Sequence, residues 1–196
     1  MPAVGNPVTP AARILVLASG SGTTLQAIVD DPVLRPLVVA AGTDVPGCVA
    51  MKRAADAGLS TFAVPLTDFP DRDCWNGALG AQIAAWQPDL VVLAGFMRLL
   101  GAGVVRAFRI VNTHPALLPS FPGAHAVRDA LVAGVRSTGV TVHWVDEGID
   151  TGPVIAQVAV DVEPGDDEQS LRARIQQAEK PLYVNAIRQL CQEIEE

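Results

Sequence analysis

Along this chain, short apolar runs bounded by turn residues alternate with longer segments whose apolar positions recur at helical spacing. The runs at 13–18, 37–42, 61–64, 89–94 and 109–112 are predicted to be strands. The stretches 23–34, 49–57 and 71–86, with a short piece at 104–108, are predicted to be helices, the second closed by Gly58 and the third by Pro88. Strand, helix, strand order implies mainly parallel pairing, because parallel neighbours need a crossover connection. The second half changes character. A helix is predicted at 126–133, then strands at 140–145 and 153–162 whose polar alternation suits a less buried, antiparallel margin. An acidic, turn-forming stretch at 163–169 leads into a helix from Ser170. Pro181 is expected to interrupt it, since proline lacks a donor and crowds the preceding turn.

The pattern predicts a single-domain α/β fold: a Rossmann-like, open, mostly parallel sheet with helices on both faces and a mixed or antiparallel margin in the C-terminal half. Residues 1–12 read as a flexible N-terminal tail and 13–196 as the domain.

Composition narrows the partners. Hydrophobic residues make up 49% of the 196, enough to fill one large core. The net charge is −7 and the 14 Lys and Arg residues are scattered, so nucleic acid and anionic membrane surfaces are disfavoured. The longest strongly apolar runs, such as 90–94, are far too short to span a bilayer. Cys48, Cys74 and Cys191 form no C-x-x-C pair and read as buried small apolar residues in a reducing compartment; a cytoplasmic location is expected.

Two constellations carry chemistry. Gly20-Ser21-Gly22-Thr23-Thr24 follows the first strand and opens a helix, so backbone amides can approach an anion at the helix N-terminus. Leu25 stands where a dinucleotide fingerprint needs its third glycine, and no lysine precedes Lys52. A monophosphate therefore suits the loop better than NAD, FAD or a nucleoside triphosphate; a plain capping turn is the competing reading. Further on, Asn112 and His114 end a strand, and Asp150 sits in Gly148-Ile149-Asp150-Thr151-Gly152-Pro153. An amide can stabilise an oxygen that gains negative charge, an imidazole can exchange a proton near neutral pH, and a carboxylate can orient that imidazole. Singly, the three could cap a turn, fill the core or form an Asx-turn. Pro115, Pro119, Pro122 and Gly123 after His114 point instead to a rigid, preorganised loop. His125 and His143 would complete a three-histidine zinc set with His114, but the spacings lack a local ligand pair, and no metal is expected. His143 is expected to face away from the more apolar side of its strand, where an exposed or hydrogen-bonding histidine and a functional one are equally open readings.

Three segments in order carry a resemblance: Pro88-Asp89-Leu90-Val91-Val92-Leu93-Ala94-Gly95-Phe96-Met97-Arg98, then Asn112-Thr113-His114-Pro115-Ala116-Leu117-Leu118-Pro119, then the segment around Asp150. From Ile14 to Tyr183 the chain resembles the formyltetrahydrofolate-dependent formyltransferases. The resemblance implies transfer of formyl from 10-formyltetrahydrofolate to the amine of glycinamide ribonucleotide in purine synthesis. It implies small-molecule partners, with a homodimer to be considered. Asn112, His114 and Asp150 match the family's catalytic trio. Gly22, Thr23 and Thr24 would hold the substrate phosphate, and Gln176 and Glu179 its ribose side. Met97, Arg98, Leu99 and Leu100 would line the pterin pocket with Asp146, Glu147, Gly148, Ile149 and Asp150, while Arg72 would reach the donor's distal part. Thr24 replaces a common asparagine, Ala116 a frequent serine and Ser120 a frequent lysine, the last removing positive charge expected near an anionic substrate. The rival readings are a formyltetrahydrofolate deformylase, with water as acceptor, and a nonenzymatic phosphate-ligand sensor.

Overall fold

The computed structural model describes residues 11–196; of the tail expected at 1–12, residues 1–10 lie outside the described residues, while Ala12 is buried in the core and its amide donates to Glu195 Oε1 at 3.0 Å. In chain order the elements are β1 (Ile14–Leu17), α1 (Thr23–Asp30), β2 (Val38–Thr43), α2 (Val49–Asp56), β3 (Thr61–Ala63), α3 (Arg72–Ala85) and β4 (Leu90–Leu93). There follow α4 (Ala102–Ala107), β5 (Ile110–His114), α5 (Ala126–Val132), β6 (Ser137–Trp144), β7 (Val154–Asp161) and α6 (Glu168–Glu195).

Every residue of β1 and β4 is buried. Alternation along a strand sends Ile14, Val16, Leu90 and Val92 to one face, and Leu15, Leu17, Val91 and Leu93 to the other. With both faces apolar, both must be covered. Leu25 and Ile28 of α1, Ala50 and Ala54 of α2, and Tyr183 and Ile187 of α6 cover the first. Trp75, Leu79 and Ile83 of α3, with Val104 of α4, cover the second.

The sheet has seven strands in the order β3-β2-β1-β4-β5-β6-β7. The first five are parallel, and β6 and β7 add antiparallel pairs. The predicted architecture is thus the observed one. After β1 the chain winds outward through β2 and β3, then returns to place β4 on the other side of β1. That reversal opens a crevice at the carboxyl ends of the strands, where ligands of open α/β sheets bind.

Several boundaries differ from expectation, and at two helix ends the local reason is visible. Helix α1 stops at Asp30, because Asp31 precedes proline and is extended (φ −78, ψ 120). Its carboxylate accepts from the amides of Val33 and Leu34 and pairs with Arg188 of α6. Strand β5 runs on through His114, and β6 begins earlier, at Ser137. Helix α6 begins before Ser170, where Asp167 and Ser170 form a capping box.

The largest correction concerns α6, which continues through Pro181 without interruption. Its two halves are held independently: Leu171 and Ile175 are buried before the proline, and Tyr183, Ile187 and Leu190 after it. The Tyr183 hydroxyl also bonds the carbonyls of Leu93 and Val111. Each buried apolar side chain contributes about 1.5–3 kcal/mol, so together they outweigh the roughly 3 kcal/mol cost of an interior proline. A second correction is that Cys74 is exposed on α3, while Cys191 is buried. None of the described helices is long and apolar enough to cross a membrane.

Candidate active site

Strand β5 supplies the site by alternation. Asn112 and His114 project from one face of the sheet, and Thr113 between them from the other. On the Asn112 side lies a cavity of about 360 Å³, lined by Asn112, His114 and Asp150, by Met97 to Leu100 and by Asp146 to Ile149. On the Thr113 side a cavity of about 210 Å³ is lined by Gly20 to Thr24 and, from α6, by Gln176 and Glu179. Met97 lines both.

In the larger cavity His114 is almost wholly buried. Its Nδ1 lies 3.2 Å from Asp150 Oδ2, and its Nε2 lies 2.7 Å from the Phe121 carbonyl. Both ring nitrogens thus face acceptors, which only the doubly protonated ring can satisfy together. Asp150 is held in the left-handed region (φ 55), and its Oδ2 accepts from the Gly123 amide at 2.7 Å. A non-glycine residue there costs of order 1–3 kcal/mol and persists only where surroundings impose it. The loop after His114 is pinned in turn. Thr141 of β6 donates to the Ala116 carbonyl and accepts from the Leu118 amide, and Gln157 of β7 donates to Thr141 and Leu118.

Sequence reading left His143 open between an exposed or hydrogen-bonding position and a functional one. It is buried, and the β5–β6 register sets it opposite Asn112 on the same face. Its Nδ1 donates to the Trp144 carbonyl at 2.9 Å, leaving Nε2 buried, unpartnered and 3.6 Å from Asp150 Oδ1. Asp150 therefore stands between two imidazoles. His125 is exposed at the start of α5 and joins neither ring. Among the described residues no group of three His, Cys, Asp or Glu side chains is placed to hold a metal ion.

The donor-side residues expected from the sequence gather here, with two qualifications. Arg98 lines the cavity, but its Nε donates to buried Asp44 at 2.7 Å; Asp44 also accepts from Ser19, whose hydroxyl takes the Met97 amide. Arg72 does not line the cavity: its guanidinium donates to the Leu99 carbonyl at 2.6 Å and lies over Trp75. Glu147 is paired with Arg106, which holds its carboxyl below the usual range. Around the mouth, Met97, Leu99 and Ile149 are 76%, 60% and 53% exposed. Apolar side chains left in water beside a cavity mark a place for an apolar ligand surface. Leu93, Phe96, Gly123, Ala124 and Val145 also line it, and only tertiary packing could reveal them.

In the smaller cavity Gly22 adopts φ 69, and a Cβ there would stand 2.5 Å from Ala50 Cα. Glycine is thus required by both backbone conformation and close packing on α2. No side chain caps α1, so its first amides are free for an anion. Burial pushes the Glu179 carboxyl up from the ordinary glutamate range, against hydrogen bonds from the Thr24 and Thr113 hydroxyls. The Thr24 hydroxyl donates to Glu179 Oε1 at 3.2 Å.

A preorganised amide, imidazole and carboxylate beside a donor-sized cavity, and a phosphate-type loop across β5, define a group-transfer enzyme of the α/β class. The chain belongs to the formyl transferase family, whose model matches residues 12–187. It is 50% identical over 189 residues to a phosphoribosylglycinamide formyltransferase of Mycobacterium tuberculosis, covering 94% of this chain and 87% of that protein. The Escherichia coli protein of the same name is 39% identical, with 87% and 83% covered. Among solved structures, glycinamide ribonucleotide transformylase 1 from Symbiobacterium toebii superposes with a TM-score of 0.90 at 41% identity, covering 93% of this chain and 89% of that one.

Proposed function

We propose that this protein transfers the formyl group of 10-formyltetrahydrofolate to the amine of glycinamide ribonucleotide, acting on small molecules in the cytoplasm. The observation that carries the reading is the placement of Asn112 and His114 beside Asp150 on one face of β5, with the anion-type loop reached from the other. Family membership supplies the formyl chemistry. The apolar mouth formed by Met97, Leu99 and Ile149 suits the flat ring of a folate donor, and the free amides of α1 suit the nucleotide's phosphate.

The amine attacks as its neutral form. Its lone pair bonds to the formyl carbon, and the carbonyl electrons move to oxygen. The Asn112 amide meets that oxyanion with a hydrogen bond. His114 can do the same only by releasing Phe121 or Asp150, since both its nitrogens are engaged. Asp150 accepts the proton that the attacking nitrogen loses, directly or through water, and is neutral while it holds it. When the carbon–nitrogen bond to the donor breaks, that proton goes to the departing nitrogen, so none is gained or lost overall.

The test is a spectrophotometric assay of purified protein with a formyl-folate donor, with and without glycinamide ribonucleotide. Release of tetrahydrofolate only in the presence of the nucleotide is expected. Equal release without it would mean hydrolysis, and no release would remove the enzymatic reading.

A further inference from the structure

The smaller cavity has a cation that neither its loop nor the family motifs point to. Among the described residues lining it, Arg172 is the one Lys, Arg or His. It stands on α6 with Gln176 and Glu179 at spacings of four and three, hence on one helix face, opposite the uncapped start of α1. We infer that Arg172 is the charged ligand of the substrate phosphate, and that it leaves Glu168 to bind it. The inference rests on the proposed nucleotide substrate and adds the residue that discriminates for its charge.

The neighbouring cations make Arg172 the available one. Arg174 is committed to Asp166 and Glu163, with a further bond to the Asp161 carbonyl. Arg53 donates to the Ser21 carbonyl and lines neither cavity. Arg172 holds only Glu168, through a single contact of 2.6 Å in which both side chains are about half exposed. An exposed pair of that kind at i, i+4 is weak and screened. A phosphate brings more charge than one carboxylate and three acceptor oxygens, so it competes for the guanidinium while the α1 amides hold its other side.

Glu168 gives the inference a second handle. If the pair served only to stabilise α6, Arg172→Ala and Glu168→Gln would act alike. If Glu168 is a placeholder, they act in opposite directions. The experiment is steady-state kinetics of both variants with glycinamide ribonucleotide, together with calorimetric titration by inorganic phosphate. Arg172→Ala is expected to raise the nucleotide KM about tenfold, with kcat and the donor KM within about twofold, as for loss of one charge-assisted hydrogen bond. It should weaken phosphate binding in step and flatten the rise of KM with salt. Arg172→Lys should recover part of the loss, and Glu168→Gln should lower KM. An unchanged nucleotide KM and phosphate affinity in folded Arg172→Ala, failure of phosphate to bind the native protein, or a KM raised equally by Glu168→Gln would each overturn it. Should the native protein show no nucleotide-dependent transfer, the proposed reaction fails while the phosphate titrations still decide the role of Arg172.

Discussion

The two cavities share Met97 and the two faces of one strand, yet they are made of opposite materials. The smaller is chiefly backbone: a glycine loop, the first amides of α1 and one face of α6. The larger is side chains, with His114 and Asp150 held by buried contacts, Asn112 and His143 beside them and exposed apolar groups at the mouth. An oxyanion of fixed shape can be held by amides that any sequence possesses, provided the chain can turn tightly enough. Proton movement needs particular functional groups at particular atoms, and these must be dry and immobile. The backbone cavity should therefore break as fold and affinity, and the side-chain cavity as rate.

The sharpest way to break that contrast is Asp150→Asn. Asparagine tolerates the left-handed backbone, so the fold should survive with its Tm little changed. General acid–base steps contribute about 10² to 10⁴ in rate, and kcat should fall by that order in a stopped or continuous formyl-transfer assay. Asn112→Ala should follow, with kcat down ~10² to 10³ and the nucleotide KM nearly unchanged. A folded variant of either kind with native kcat would remove the side-chain cavity from the chemistry.

On the other side of β5, Gly22→Val tests the reverse expectation. Sequence reasoning expects the added side chain to obstruct phosphate; the structure adds a collision with the backbone of α2 and a disfavoured positive φ. Overpacking typically costs 1–3 kcal/mol and the backbone strain a comparable amount, so a loss of roughly 3 kcal/mol is expected. For a chain of this size that is a fall in Tm of about 6–12 °C by calorimetry. A variant as stable as the native protein and impaired only in nucleotide KM would show that the glycine serves the ligand rather than the fold.

What could be read in advance divides along the same line. Strands β1 and β4 are continuous apolar runs whose meaning is local, and the glycine loop announces itself because turn chemistry is local too. The course of α6 through Pro181 was hidden, since the rule that proline stops a helix is local while the bonds of Tyr183 to Leu93 and Val111 span the chain. The placement of His143 and of Arg172 was hidden for a related reason. One needs the β5–β6 register and the other the rotation of α6, and neither is written in neighbouring residues. Arg72, assigned from resemblance, sits behind the cavity mouth on the carbonyl of Leu99, a placement that only the tertiary structure gives.

The mildest and most selective test lies where the backbone cavity does contain a charge. Glu179 lines it together with Arg172, and its carboxyl is pushed up by burial between Thr24 and Thr113. A carboxyl whose folded-state pKa exceeds its unfolded value binds its proton more tightly in the native state. It therefore does not weaken the fold below the unfolded pKa, and it costs stability progressively as pH rises through the folded pKa. Glu179→Gln removes that penalty while keeping size and one acceptor. The Tm of the variant relative to the native protein should thus be higher at pH 8 than at pH 4.5. Its nucleotide KM should rise only about two- to tenfold, as for one imperfectly replaced hydrogen bond. A Tm difference independent of pH would mean that burial does not govern this carboxyl. A gain in stability bought with weaker nucleotide binding is the outcome expected where an unfavourable charge is kept for a ligand.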